Sequence, residues 1–307
     1  MQDKNTTNSD QDYNYDELDL REVAHAIFSR KKIIIMVTSI FTLGSLFFAY
    51  TAPIKWESSS ITIPADSSAG AMPAKSSGLA ALAGINIAKG SADPGPKIIA
   101  TIKSRDFFKH LIKFDGVLEN LMAFKAYDAT LNASQFNESL FDSDKKAWKE
   151  SKKPSTYQSY IVYNNSLTVY SPKMSSFVYL NMKHGSPVFA RDFLDLIIKE
   201  VNELSRQRDL EKSNKSLAYL YEQLKLEQQS DVQIAISQLI ESQLKKQMLA
   251  QVSSNYSLEI IDSPFISELR ASPKRKNILI IGSLIGLFLS LILVLTLHYT
   301  NKYFKKY

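Results

Sequence analysis

The sequence predicts an α+β chain: a membrane-proximal α/β base domain with a long extended helix, flanked by two transmembrane helices. Three observations predict it. Two apolar runs of about 20 residues without a charge lie near the two ends. Alternating apolar runs stand just inside each of them, and a stretch of 65 residues, from Val188 to Val252, lacks both proline and glycine.

The first run, Ile33 to Ala52, follows Arg30, Lys31 and Lys32, so the positive-inside tendency keeps the segment before it in the cytoplasm. A cleaved signal peptide would need a short basic leader, whereas this leader exceeds thirty residues and carries Asp16, Glu17, Asp19 and Glu22. A retained anchor is expected. The second run, Asn277 to Tyr299, must return the chain, because the one other apolar stretch, Gly78 to Ala88, is too short to cross as a helix.

The expected division is therefore a cytoplasmic segment 1–32, a first span 33–52, an external domain 53–276, a second span 277–299 and a cytoplasmic tail 300–307. The basic residues near the span ends number seven inside and five outside, and long loops cross largely regardless of charge. Lys274, Arg275 and Lys276 are thus expected outside, where cationic side chains snorkel to anionic headgroups. The net charge of +6 divides into −2 before the first span, +5 in the external domain and +3 on the tail. So diffuse a surplus on a large domain predicts solvated surface, with no nucleic-acid partner. The absence of cysteine is compatible with an oxidising compartment, which permits disulfides without requiring them.

Inside the external domain, a strand is expected over Trp56 to Ile63, with Ile61 and Ile63 alternating against Thr62, closed by Pro64. A loop rich in Ser, Ala, Gly and Pro follows to about Pro96, then a helix from Pro96 to Phe114 and a mixed, mainly helical region from 115 to 155. The runs NSLTVY and FVYLNMK, around the polar turn SPKMSS, predict an antiparallel hairpin. Ser186 can cap a helix that has Pro187 in its first position. That helix opens a stalk expected over about 187–254; unbroken from Val188 to Val252 it would be roughly 98 Å long, at about 1.5 Å per residue. The wholly polar EQQSD at Glu227 to Asp231 leaves room for a break. Leu217, Leu220, Leu224, Ile236, Ile240 and Leu244 form its apolar stripe and are read as stalk packing, a core or oligomer seam. The run YSLEIID gives a last strand, expected to meet the first in one sheet.

Signatures for a nucleophile elbow, a zincin or a phosphate loop are missing, so catalytic, cofactor and metal residues are all expected to be none. His25, His110, His184 and His298 fall in unrelated contexts, and His184 is read as structural. Gly282 and Gly286 form G-x-x-x-G, which lets a second helix approach closely, either the first span around Gly44 or a neighbouring subunit. Pro264 and Pro273 cannot continue a helix and should stiffen the approach to the second span.

Several pieces, taken in order, resemble chain length determinants of the Wzz type, the polysaccharide co-polymerases of bacterial inner membranes. They are YDELDLREVAHAIFSRKK, SGLAALAGI, IKSRDFFKHLI, LNMKHGSPVFARDFLDLIIKEVNEL with Ser186, Pro187, Ala190 and Asn202, SLAYLYEQL, KQMLAQVSSNYSLEIIDSP and SPKRKNILIIGSLIGLFL. Pro264 and Pro273 stand nine residues apart, where the family's proline run is often denser. The sequence ends at Tyr307 without the ATP-binding module of kinase-bearing relatives, so the kinase-free branch is expected. The resemblance implies a non-catalytic inner-membrane protein with both termini cytoplasmic and the bulk of the chain periplasmic. It also implies a homo-oligomeric ring that sets the length of a surface polysaccharide, most commonly lipopolysaccharide O-antigen. Implied partners are the membrane polymerase, the growing lipid-linked polysaccharide and membrane lipids. A two-span ligand sensor and a periplasmic adaptor of an export machine are the competing readings; the eight residues after Tyr299 leave a sensor no output module.

Overall fold

The computed structural model describes residues 27–65, 94–173 and 175–304. The acidic leader, His25 and the run Gly78 to Ala88 lie outside the described residues. The chain divides into two compact units, Met1–Ala52 with Pro273–Tyr307, and Pro53–Ser272.

Helix α1 spans Lys31–Thr51 and ends where Ala52 turns to extended backbone ahead of Pro53. Strand β1, Lys55–Pro64, follows and becomes the middle of the main sheet. Its buried side chains are Ser58, Ser60 and Thr62, while Ile61 and Ile63 are only half-buried. The sequence expectation chose the wrong face of this strand. Small hydroxyl side chains leave room for a helix to lie on the sheet, and two are satisfied there: Ser60 Oγ donates to the Asp262 carbonyl (2.6 Å) and Thr62 Oγ1 to that of Val178 (3.1 Å).

The single helix expected from Pro96 to Phe114 is two, α2 (Gly95–Ile102) and α3 (Arg105–Leu111). Ser104 separates them because its Oγ accepts the Phe107 N–H, the bond of an N-cap. The region 115–155 is less helical than expected. After α4 (Val117–Ala123), which starts at Gly116 with φ of 81°, come two small hairpins. They are β2 (Phe124–Asp128) with β3 (Ala133–Phe136), and β4 (Phe141–Asp142) with β5 (Ala147–Trp148). Carboxylates make the turns: Asp128 Oδ1 accepts from the Thr130 and Leu131 amides, and Asp142 Oδ1 from that of Lys145.

Helix α5 (Thr156–Ser166) opens with a capping box of Ser155 and Gln158. It leads into β6 (Leu167–Tyr170) and β7 (Val178–His184), which form the expected antiparallel hairpin. The stalk consists of two helices, α6 (Pro187–Leu226) and α7 (Ser230–Val252). Then come β8 (Leu258–Asp262), β9 (Arg270–Ser272) and α8 (Arg275–Phe304).

The main sheet runs β6-β7-β1-β8, with β9 also on β1 and every pairing antiparallel. The expectation that the strands just inside the two apolar runs share a sheet therefore holds: β1 pairs with β8 from Ile61↔Asp262 to Pro64↔Leu258. Across the sheet's covered face the register lines up Leu167, Met182 and Ser58, then Val169, Leu180 and Ser60. Ala190, Phe193, Leu194, Ile197, Ile198 and Val201 of α6 complete this core, at spacings of three and four that place them on one helix face. Phe107, Phe108, Leu111 and Tyr163 fill its flank, and the Tyr163 hydroxyl donates to the Ile102 carbonyl (2.8 Å).

Candidate functional site

Three arrangements offer a functional surface, and each is built from residues the sequence singles out. The first is the helix pair of the smaller unit. Mean hydropathy reaches 2.1 in α1 and 3.0 over Arg275–His298, long and apolar enough to cross a membrane. The helices pack antiparallel through the small residues: a Cβ on Gly282 would run into Ser45 Cβ, and one on Gly286 would sit 2.6 Å from Phe41 Cβ and 3.3 Å from Thr38 Cα. Of the two partners open to this motif, the structure shows the chain's own first apolar helix. Gly44 itself has open space beside it. Leucine at position 286 should therefore force the helices apart, at about 1–3 kcal/mol for overpacking. Thermal unfolding of the full chain in detergent should show Gly286→Leu destabilised and Gly44→Leu unchanged; equal effects would refute the assigned pairing.

At the start of α8, Lys274, Arg275 and Lys276 are exposed, and the Arg275 guanidinium lies 5.9 Å from the Tyr50 ring centroid. Positive charge at a helix N-terminus opposes the helix dipole, so this cluster does not serve the helix that it precedes. Pro273 accepts from the Arg275 amide (3.0 Å) and thereby begins the turn into α8. Pro264 lies between β8 and β9. The short strand β9 that follows is paired to β1 at Trp56↔Arg270 and Lys55↔Ser272.

The second arrangement anchors α6 on the sheet. Ser186 Oγ accepts the Phe189 amide (3.2 Å), and Pro187 occupies the first position, as the sequence predicts. His184 was expected to be structural, and it is bonded at both ring nitrogens. Nε2 meets the Asn120 carbonyl (2.9 Å), and Nδ1 meets the Ser186 amide (3.0 Å). A carbonyl only accepts and an amide only donates, so the proton sits on Nε2 and the ring is neutral. Phe124 and Phe189 stand edge-on to the ring, each with centroids 4.6 Å away. Burial pushes its pKa down from 6.5 to about 4, and Lys55 adds to the shift by repulsion. Further along α6, buried Asn202 holds β8: its Oδ1 accepts from the Ser257 and Leu258 amides (2.7 Å each), and its Nδ2 donates to the Leu258 carbonyl (3.0 Å). Sequence reasoning listed Asn202 as a recurring residue without its role. An asparagine in an apolar helix face was the available signal.

The third arrangement is the helical hairpin. The break falls inside EQQSD, where Glu227 accepts from the Gln228 and Gln229 amides (2.9 Å each) and Gln233 Nε2 donates to the Glu227 carbonyl (2.7 Å). Helix α6 is thus about 60 Å long at roughly 1.5 Å per residue. The antiparallel α7 returns along its outer half. Ser213 Oγ donates to the Gln243 carbonyl (3.1 Å), Lys246 pairs with Asp209 (3.4 Å), and the Tyr256 hydroxyl donates to Asp209 (2.9 Å). Of the stripe residues, Leu217 and Ile240 are buried and Leu220, Leu224 and Ile236 half-buried, whereas Leu244 is exposed.

Among the described residues no three His, Asp or Glu side chains are grouped to hold a metal ion. His110 pairs with Glu200 (2.7 Å) between α3 and α6. What these arrangements do is hold helices: one pair in an apolar unit, one long helix against a sheet, one hairpin beyond it.

Comparison with known proteins adds the following. Residues 16–141 match the family model Wzz, described as chain length determinant protein. Among solved structures, a full-length bacterial polysaccharide co-polymerase is similar at 13% identity and a TM-score of 0.39, over 93% of this chain and 99% of that one. A fragment of WzzB, a polysaccharide co-polymerase from Salmonella Typhimurium, is similar at 14% identity and a TM-score of 0.32, over 71% of this chain and 100% of that one. No curated protein matches significantly. The family match contains three of the motifs that carry the resemblance, YDELDLREVAHAIFSRKK from its second residue, SGLAALAGI and IKSRDFFKHLI. Residues 16–141 of this chain are thus similar to the chain length determinant proteins of the Wzz type.

Proposed function

We propose that this protein sets the chain length of a bacterial surface polysaccharide, most specifically lipopolysaccharide O-antigen, as a non-catalytic partner of the polymerase in the inner membrane. The observation that carries the reading is the match of residues 16–141 to the chain length determinant family. Two apolar helices packed antiparallel support a two-span protein with both termini cytoplasmic and Pro53–Lys276 in the periplasm. In this reading Gly282 and Gly286 hold the spans together, and Lys274, Arg275 and Lys276 meet the outer headgroups. Pro264 and Pro273 stiffen the connection between them. The stripe from Leu217 to Leu244 divides its work: the buried members fasten the hairpin, and exposed Leu244 faces a neighbouring subunit in a ring.

The test is an electrophoretic ladder of surface polysaccharide from cells with and without the gene. Deletion should turn a clustered length distribution into an unregulated one while polymer is still made. Loss of all polymer would mean the protein is needed for synthesis itself. An unchanged ladder would favour the adaptor reading, which the α6–α7 hairpin also suits.

A further inference from the structure

The segment joining β8 to β9 exposes apolar side chains where a strand connection in water is ordinarily polar. Phe265 is 47% exposed, Ile266 42% and Leu269 81%, three large apolar residues within five positions. Single exposed apolar residues are normal on any protein, but a run of them marks a surface with an occupant. The chain around this run says what the occupant is. Arg270 follows at once, then Lys274, Arg275 and Lys276, all exposed. Leu269 lies six residues before the first residue of α8, so at about 3.3–3.6 Å per residue it stays within roughly 20 Å of that helix start along the chain. Its neighbour Arg270 is fixed in β9 opposite Trp56, and Ser272 opposite Lys55, four residues after the end of α1. The run therefore sits beside the strands that continue into both apolar helices, among the residue types, Trp, Arg and Lys, that concentrate at bilayer interfaces.

We propose that Ser263–Leu269 docks on the bilayer surface. Phe265, Ile266 and Leu269 reach the boundary between headgroups and acyl chains, and Arg270 with Lys274–Lys276 contacts anionic phospholipid headgroups. The segment is suited to that layer and not to the hydrocarbon core. Exposed Glu268 must stay at the wet side, while Ser267 Oγ already satisfies the Leu269 carbonyl (2.7 Å). Immersed apolar residues and basic residues on anionic lipid reinforce one another, since each signal alone gives weak attachment. The proposal rests on the two-span reading.

The chain has no cysteine, so a nitroxide on a single introduced cysteine reports one place. Leu269→Cys is compared with Leu284→Cys in α8 and Leu131→Cys in the turn after β2, in full-length protein reconstituted into vesicles containing phosphatidylglycerol. At 269, collisions with oxygen should exceed those with a water-soluble nickel chelate severalfold more than at 131. Nickel collisions as frequent at 269 as at 131 would overturn the proposal. So would low rates for both reagents, which would mean that another protein surface, such as a second copy, covers the segment. A lipid signal at 284 with none at 269 defeats the docking alone; a water signal at 284 defeats the two-span reading with it.

Discussion

Replacing Asn202 by leucine should cost about 3–6 kcal/mol, although leucine fills a similar volume and suits the helix. The side chain makes three hydrogen bonds to the backbone of residues 257 and 258, where Leu258 is fully buried. Each buried backbone group stripped of its partner costs about 1–3 kcal/mol. The Leu258 carbonyl finds no replacement donor directly opposite, because Pro64 has no N–H to give. Thermal unfolding of the full chain in detergent measures the loss. Asn202→Asp, which keeps both acceptor bonds and loses the donor, should fall between wild type and leucine. A loss under about 1 kcal/mol for leucine would show that β8 is held by its strand pairing alone.

Acid should weaken the protein through His184. Its pKa is about 4 when folded and about 6.5 when unfolded, so between these values the unfolded chain binds more protons. Stability from this residue is complete above pH 6.5 and is lost as pH falls, by about 3 kcal/mol at pH 4. The physical cause is that a protonated ring can no longer accept the Ser186 amide and would bury a charge between Phe124 and Phe189. His184→Gln has no proton to take up. The stability gap between wild type and this variant should shrink by about 3 kcal/mol from pH 7 to pH 4; a constant gap would assign the acid sensitivity to carboxylates.

How much of this was legible follows the range of the forces involved. The apolar helices, the cap at Ser186 and Pro187 and the hairpin of β6 and β7 are decided within a turn or two of chain, and their sequence signals matched. The stop at EQQSD was visible as a polar gap, but only the bonds at Glu227 choose between a bend and a return. What failed depends on neighbours distant in sequence. The buried face of β1 is its hydroxyl face because α6, more than a hundred residues later, needs the room. Ser104 looked like one polar residue inside a helix, and only its bond to Phe107 makes it a boundary. The helix-packing residues Gly282 and Gly286 could be nominated from spacing, while Asn202 and His184 acquired roles only from strands folded against them.

The place of β1 in the middle of the sheet also sets an order of events during synthesis. It is the first made of the described strands, yet its neighbours β7 and β8 begin at Val178 and Leu258. At about 5–20 residues per second, β1 waits roughly ten to forty seconds after Pro64 for the last of β8 to appear. For that time the edge that β8 will take stays unpaired, the kind of edge that captures other chains. A face of Ser58, Ser60 and Thr62 offers such chains little to adhere to, so the composition that makes room for a helix in the finished fold also protects the nascent one.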